Sequence, residues 1–118
     1  MRAKDALGRY GEDVAARHLA AAGMVLLARN WRCREGEIDI VARDGDVLVV
    51  CEVKTRRTTA HGTPVEAVTA RKAERLRVLA VRWMAAHAAR PRAVRFDVVA
   101  VLAAGSGPAV VDHRQGVI

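Results

Sequence analysis

The sequence predicts an α/β domain in which helices flank a mixed β-sheet. Two segments repeat apolar residues at helical spacing, and several valine-rich segments have the character of buried strands. The chain has 118 residues, 52% of them hydrophobic, so residues 1–118 are expected to form a single domain that buries a core without disulfides or a structural metal.

Helical spacing appears twice along the chain. The first helix is expected over Asp5–Ala22, with Gly23 placed to end it in a left-handed conformation. The second helix has two candidate starts, a capping box at Thr63 and a later cap at Thr69, and Pro91 ends its pattern. One side of this second helix is rich in arginine.

Strand-like segments surround the two helices. They are residues 24–31, 37–43, 46–54, 93–102 and a short edge segment at 109–112. The resulting order, αβββαβ with a possible last strand, is typical of a mixed sheet. Residues 55–62 lack apolar periodicity and are expected to form a loop at the mouth of a site.

The charge of the chain favours polyanionic partners. The formal net charge is +7, and residues 61–95 contain eight lysines and arginines against two glutamates. The alternative interpretation is that these arginines only solvate a helix face.

The sequence also argues against several classes of protein. The longest apolar run, Leu19–Ala28, is interrupted by Gly23 and falls short of the roughly 20 residues of a membrane span. No secretory pattern opens the chain, so a cytoplasmic location is expected. Cys33 and Cys51 are isolated, which predicts neither a zinc site nor a disulfide.

A hairpin at residues 36–54 contains the most informative pattern. If Asp44 and Gly45 form its two-residue loop, Asp39 lies opposite Val50. Every other cross-strand pair of the hairpin then has residue numbers with the same sum as this pair. Side chains can therefore be assigned to faces from the sequence alone.

This register places three carboxylates, those of Glu37, Asp39 and Glu52, on one face together with Lys54. Asp39 and Glu52 become diagonal neighbours, roughly 7–8 Å apart at the backbone. Carboxylates suit Mg²⁺, and a lysine beside the metal would suit phosphodiester hydrolysis. The alternative is a solvated face with alternating charges. Against it, the apolar run Val47–Val53 predicts a central strand covered on both sides.

The spacing of Asp39, Glu52 and Lys54 resembles the PD-(D/E)XK nuclease superfamily, although Ile38 stands where that motif usually has proline. The segments GRYGEDVAARHL, NWRCREGEIDIVARDGDVLVVCEVKTR, GTPVEAV, RKAERL and RFDVVAV together resemble the YraN-like family of uncharacterised bacterial proteins, over residues 8–101. The resemblance implies a restriction-endonuclease-like three-layer fold with a mixed sheet of four to five strands, a catalytic Asp39, Glu52 and Lys54, and Mg²⁺ or Mn²⁺ bound by Asp39 and Glu52.

The YraN-like family is in turn similar to archaeal Holliday junction resolvases, in which a first-helix glutamate joins the site. The matching residue is Glu12, which would otherwise be interpreted as an exposed helix carboxylate. The resemblance implies DNA, in particular branched DNA, as the substrate and makes a homodimer plausible, because a two-fold enzyme can address two strands of a symmetric junction.

Basic residues near the motif are candidate phosphate contacts. They are Arg56, Arg57, Arg71, Lys72 and Arg75. The leading hypothesis is a metal-dependent nuclease. The alternatives are a non-catalytic nucleic-acid-binding protein that keeps the nuclease-like fold, and a protein-interaction subunit whose basicity is incidental.

Overall fold

A β-sheet separates two helices in the part of the chain that the structure, a computed structural model, describes, residues 5–58 and 68–118. The elements in chain order are α1 (Ala6–Ala21), β1 (Val25–Cys33), β2 (Gly36–Asp44), β3 (Val47–Arg56), α2 (Ala70–Ala86), β4 (Ala93–Leu102) and β5 (Val110–Arg114). The predicted α/β class with helices on both faces of the sheet is confirmed.

The five strands lie side by side in chain order, from β1 to β5. Strand β3 pairs in parallel with β4, and α2 connects the two, whereas every other pair is antiparallel. The sheet is therefore mixed, as predicted. Its central strand, β3, has a run of buried residues from Leu48 to Glu52, and both faces of the sheet around it are covered.

Helix α1 begins and ends as the sequence predicts. The Asp5 carboxylate accepts a hydrogen bond of 2.7 Å from the backbone N–H of Gly8, which caps the first turn. Gly23 takes a left-handed φ of 93° just beyond the helix. The helix packs on one face of the sheet through a buried apolar cluster. The cluster comprises Ala15, Ala16, Leu19, Met24, Ile40, Ala42, Val49, Cys51, Val99 and Val101.

Helix α2 uses the later of its two predicted caps. The Thr69 hydroxyl accepts a hydrogen bond of 3.2 Å from the backbone N–H of Lys72, whereas the cap proposed at Thr63 falls outside the described residues. The helix ends at Ala86, before Pro91. It covers the other face of the sheet through a second cluster, made of Ile38, Val41, Leu48, Val50, Leu76, Leu79, Ala80 and Trp83.

The predicted register of the β2–β3 hairpin is wrong by two residues. Asp44 pairs with Val47, so the loop consists of Gly45 and Asp46. Gly45 takes a φ of 62° at the first loop position, where a type II′ hairpin turn requires glycine. Because side chains alternate with a period of two, this shift leaves the paired residues of β2 and β3 on their predicted faces. Ile38, beyond the last pair, packs in the cluster under α2 although Ile40 packs in the cluster under α1.

The strand bounds also differ from the predicted ones. Strand β3 continues through Thr55 to Arg56, where a loop was predicted, because Arg56 still pairs with Leu102 of β4. The short last strand is confirmed, and it extends to Arg114. The candidate residues at the end of β3 are therefore held by the sheet rather than by a loop.

A buried carboxylate, Asp97 on β4, ties β5 to the sheet. It accepts hydrogen bonds from the Arg95 guanidinium at 2.9 and 3.0 Å and from the Gly116 backbone at 3.0 Å. The His113 ring lies 2.8 Å from the same carboxylate and 3.2 Å from the ring of His18 on α1. This network satisfies a charge that would be costly to bury alone.

Neither helix in the described ranges combines the length and the apolar character that crossing a membrane requires.

Gly11 is expected to be essential for the close packing of α1 against β3. A Cβ there would lie 1.9 Å from the Thr55 Oγ1 and 2.8 Å from its Cβ, so rotating the threonine cannot relieve the overlap. We expect Gly11→Ala to lower the free energy of unfolding by about 1–3 kcal/mol, measured by urea denaturation. Adding Thr55→Gly should recover part of the loss. Gly107→Ala, where a Cβ meets nothing within 4 Å, is the control and should change little. Equal effects of the two alanine substitutions would contradict the close packing.

Candidate functional site

Two strands and one helix contribute the side chains of the candidate site. Asp39 lies on β2, Glu52 and Lys54 on β3, and Lys72 in the first turn of α2. Leu48 and Val50 of β3 pack against α2, and the alternation of β3 places Glu52 and Lys54 on that same face. The faces follow from the period of the strand, so the sequence specifies them directly.

Asp39 replaces a backbone hydrogen bond of the sheet. The paired residues of β2 and β3 end at Ile40 and Cys51, and next to them the Asp39 Oδ2 accepts a hydrogen bond of 2.8 Å from the Val53 backbone N–H. The side chain is only 7% exposed. This bond holds a carboxylate beside Glu52, at the point where the regular ladder between the two strands stops.

Glu52 is buried, 8% exposed, and carries two lysines on one oxygen. Its Oε2 lies 3.3 Å from the Lys54 Nζ and also contacts the Lys72 Nζ. Both lysine side chains are themselves mostly covered, at 21% and 29% exposure. Such charge-assisted contacts are stronger in a partly buried place than on an open surface.

The pKa values of the two lysines are shifted in opposite directions. Burial, together with the neighbouring Lys72, lowers the pKa of Lys54 against the opposing attraction of Glu52. Burial also acts to lower the pKa of Lys72, but its hydrogen bond with Glu52 and the charges of Glu52 and Asp39 outweigh burial and raise the pKa. The charge of Asp39 therefore acts on Lys72 as well as the charge of Glu52.

Glu12 is held in a different way. It is 1% exposed, and its Oε1 accepts hydrogen bonds from Arg29 at 3.2 and 3.3 Å and from the Asn30 amide. Asn30 has a left-handed φ of 52° within β1. Glu12 also lines a small pocket of about 180 Å³ with Val53 and Thr55. It thus reaches β3 from the α1 side, and its joining of the Asp39 and Glu52 site stays a prediction.

The expected crowding of three carboxylates is wrong. Glu37 pairs with Arg32 on β1, and its Oε2 lies 3.3 Å from the arginine Nη2. Within residues 5–58 and 68–118, no three His, Cys, Asp or Glu side chains are grouped so that they could hold one metal ion. Asp39 and Glu52 are left as a pair of carboxylate donors. A pair is sufficient for Mg²⁺, which usually takes one or two carboxylates and keeps several waters.

The predicted phosphate contacts lie at the end of β3 and at the start of α2. Arg56 lies half-buried at the end of β3 and Arg57 is exposed just after it. Arg71 and Arg75 are exposed on α2, whereas Lys72 points to Glu52. Sequence reasoning named Lys72 as a candidate phosphate contact and missed its contact with Glu52. Its neighbours in the helix gave no signal of it, because the contact depends on how α2 crosses β3.

Sequence reasoning also missed Arg29 and Asn30. They hold the Glu12 carboxylate, and Arg29 additionally lies 2.7 Å from Asp13. An asparagine inside a predicted strand was the available signal, because asparagine tolerates the left-handed conformation better than most residues.

Fold and site together define an α/β protein with a carboxylate pair and a lysine pair at the middle of a mixed sheet. The chain belongs to the uncharacterised protein family UPF0102, whose model matches residues 11–101. It is 60% identical over 116 residues to a UPF0102 protein of Frankia casuarinae, covering 98% of both chains. It is 62% identical to relatives from Kineococcus radiotolerans and Streptomyces coelicolor, covering 99% of this chain and 97% and 92% of theirs.

The bond from Val53 to Asp39 separates a structural from a chemical role of the carboxylate. Asp39→Ala removes the acceptor of a buried N–H and should lower the free energy of unfolding by about 1–3 kcal/mol. Asp39→Asn keeps an oxygen acceptor and should cost clearly less. Urea denaturation of both variants in metal-free buffer measures the difference. Equal losses would show that the carboxylate does not stabilise the sheet through this hydrogen bond.

Proposed function

We propose that this protein is a metal-dependent nuclease that hydrolyses phosphodiester bonds in DNA. The observation that carries the proposal is that the Glu52 Oε2 lies 3.3 Å from the Lys54 Nζ. Asp39 supports it, because its carboxylate binds the Val53 N–H of the same strand. Buried carboxylates beside lysines are unusual in a structural core and common in sites for phosphoryl chemistry.

Asp39 and Glu52 would hold Mg²⁺ or Mn²⁺ in this proposal. Oxygen donors are the ligands that both ions prefer, and a site with two protein carboxylates leaves room for waters and phosphate oxygens. When bound, the ion would supply a Lewis acid for the phosphate and lower the pKa of an attacking water.

The residues of the chain would contribute orientation and charge. Asp39 is fixed by the Val53 N–H, and Glu52 is fixed by its place in the central strand. Lys54 would donate hydrogen bonds to a water or to a phosphate oxygen on the α2 face, where its positive charge stabilises charge that develops in the transition state. Rigid strands on both sides keep these groups in place during the reaction.

The DNA would lie across the basic end of the site. Arg56 ends β3 and Arg57 follows it, and Arg71 and Arg75 lie in the first turns of α2. The two elements that carry Glu52 and Lys72 would therefore both contribute contacts to phosphate. Branched DNA is the substrate that the resemblance to junction resolvases favours. In a homodimer, two such sites would address two strands.

The second candidate is a nucleic-acid-binding protein that keeps the same fold without catalysis. One observation favours it: Lys54 and Lys72 already form ion pairs with Glu52 without a metal ion. Both candidate functions predict DNA binding, so only an assay of DNA cleavage can distinguish them.

Cleavage of labelled junction, flap and single-stranded DNA with Mg²⁺ or Mn²⁺ tests the proposal. We expect Asp39→Asn and Glu52→Gln to weaken both metal binding and cleavage, because each removes an anionic ligand. Lys54→Met should leave metal affinity intact or raise it and reduce cleavage by about 10²-fold. Glu74→Gln, at an exposed carboxylate on α2, is the control. If the wild-type protein cuts no substrate, the second candidate is favoured. If Lys54→Met keeps full activity, the proposed catalytic role of Lys54 is wrong.

DNA binding is expected to be strongly salt-dependent. Replacing Arg71 and Arg75 by glutamine should weaken binding to any sequence and reduce the slope of log affinity against log salt by about 0.9 for each phosphate that the protein no longer neutralises. Fluorescence anisotropy between low and physiological salt measures the slope. Arg114→Gln, on β5, is the matched control and should bind as the wild type does. A flat salt response of the wild type would argue against phosphate binding altogether.

A further inference from the structure

The candidate site is close to electroneutral before any metal ion binds. Asp39 and Glu52 contribute two negative charges, and Lys54 and Lys72 contribute two positive charges. Both ammonium groups contact the same oxygen, Oε2 of Glu52. A divalent cation added to this arrangement would leave a net charge of about +2 among partly buried side chains, which is unfavourable at low dielectric.

We propose that Lys72 is an internal counter-ion that must leave Glu52 before a divalent cation can bind there. Lys54 lies on the same strand as Glu52, two residues away. Lys72 reaches Glu52 from another element, and at 29% exposure against 21% it is the more accessible of the two lysines. A rotation of its long side chain would carry the ammonium group into solvent.

The displaced lysine would then become available to phosphate. Lys72 belongs to the first turn of α2, and the exposed arginines Arg71 and Arg75 lie on that same part of the helix. Metal binding would therefore add one positive charge to the surface that contacts DNA. Because binding free energies are reciprocal, DNA would in turn strengthen metal binding. This inference rests on the proposed function and adds cooperativity between metal and DNA.

The test is a calorimetric titration of Mn²⁺ into metal-free protein without DNA. Lys72→Met should bind Mn²⁺ about tenfold more tightly than the wild type, in the usual range of coupling between sites. Lys72→Arg keeps the charge and should stay near the wild type. Arg71→Met, one residue away and exposed, is the control for a general decrease in positive charge. Should Lys72→Met fail to fold, Lys72→Gln removes the charge while keeping a polar side chain.

Binding to a phosphorothioate duplex that resists hydrolysis tests the second step. Mn²⁺ should raise the affinity of the wild type for this DNA, and the increase should be several-fold smaller in Lys72→Met. An equal increase in both proteins would overturn the role of Lys72 in cooperativity. Mn²⁺ affinity in Lys72→Met that is unchanged or weaker would overturn the counter-ion itself.

These outcomes are distinct from failure of the proposed function. If Lys72→Met binds Mn²⁺ more tightly while the wild type cuts no DNA, the counter-ion stands and the nuclease proposal fails. If the wild type cuts DNA with Mn²⁺ and Lys72→Met binds the ion no better, the nuclease proposal stands and the counter-ion is wrong.

Discussion

The hydrogen bond from the Val53 N–H to the Asp39 carboxylate is the contact on which the arrangement of the site depends. An antiparallel pair of strands normally satisfies its backbone groups with each other. Here a side chain takes over where the paired residues end, so two strands can diverge without leaving a buried N–H unsatisfied. Glu52 lies on β3 next to this bond, beyond the last paired residues of the two strands.

Burial and charge balance oppose each other at this position. Asp39 and Glu52 stand at the edge of an apolar layer in which α2 packs Leu76 and Leu79 on the sheet. Their burial is possible because Lys54 and Lys72 approach closely enough to offset the charge. The same core that makes the site rigid therefore also requires the lysines, and the proposed chemistry depends on how readily one of them can be exchanged for a metal ion.

Much of this arrangement could be predicted from the sequence, and the errors have physical causes. The class, the mixed sheet and the central strand follow from apolar periodicity. The loop of the hairpin does not, because Asp44-Gly45-Asp46 offers both an Asp-Gly and a Gly-Asp turn, and only backbone geometry selects the second. The error does not change the faces of the paired residues, because the shift amounts to two residues.

Contacts between distant elements could not be predicted in the same way. The pairing of Glu12 with Arg29 and Asn30 joins a helix to a strand whose relative position depends on core packing. The position of Lys72 in the helical pattern is that of a solvent-facing residue. Its contact with Glu52 depends on how α2 crosses β3. The sequence shows which residues are charged. Whether a charged side chain is buried depends on how the helices pack on the sheet.

The two cysteines of the sequence differ in a way that makes one of them a natural reporter of sheet opening. Cys51 is fully buried in β3, and burial together with the charges of Asp97, Asp39 and Glu52 raises the pKa of its thiol. The thiolate of Cys51, the form that reacts with alkylating reagents, is therefore disfavoured while the sheet is intact. Cys33, half-buried at the end of β1, lacks this protection by depth. The slow modification of Cys51 under native conditions would thus record how often the strand beside the carboxylate pair separates from its neighbours.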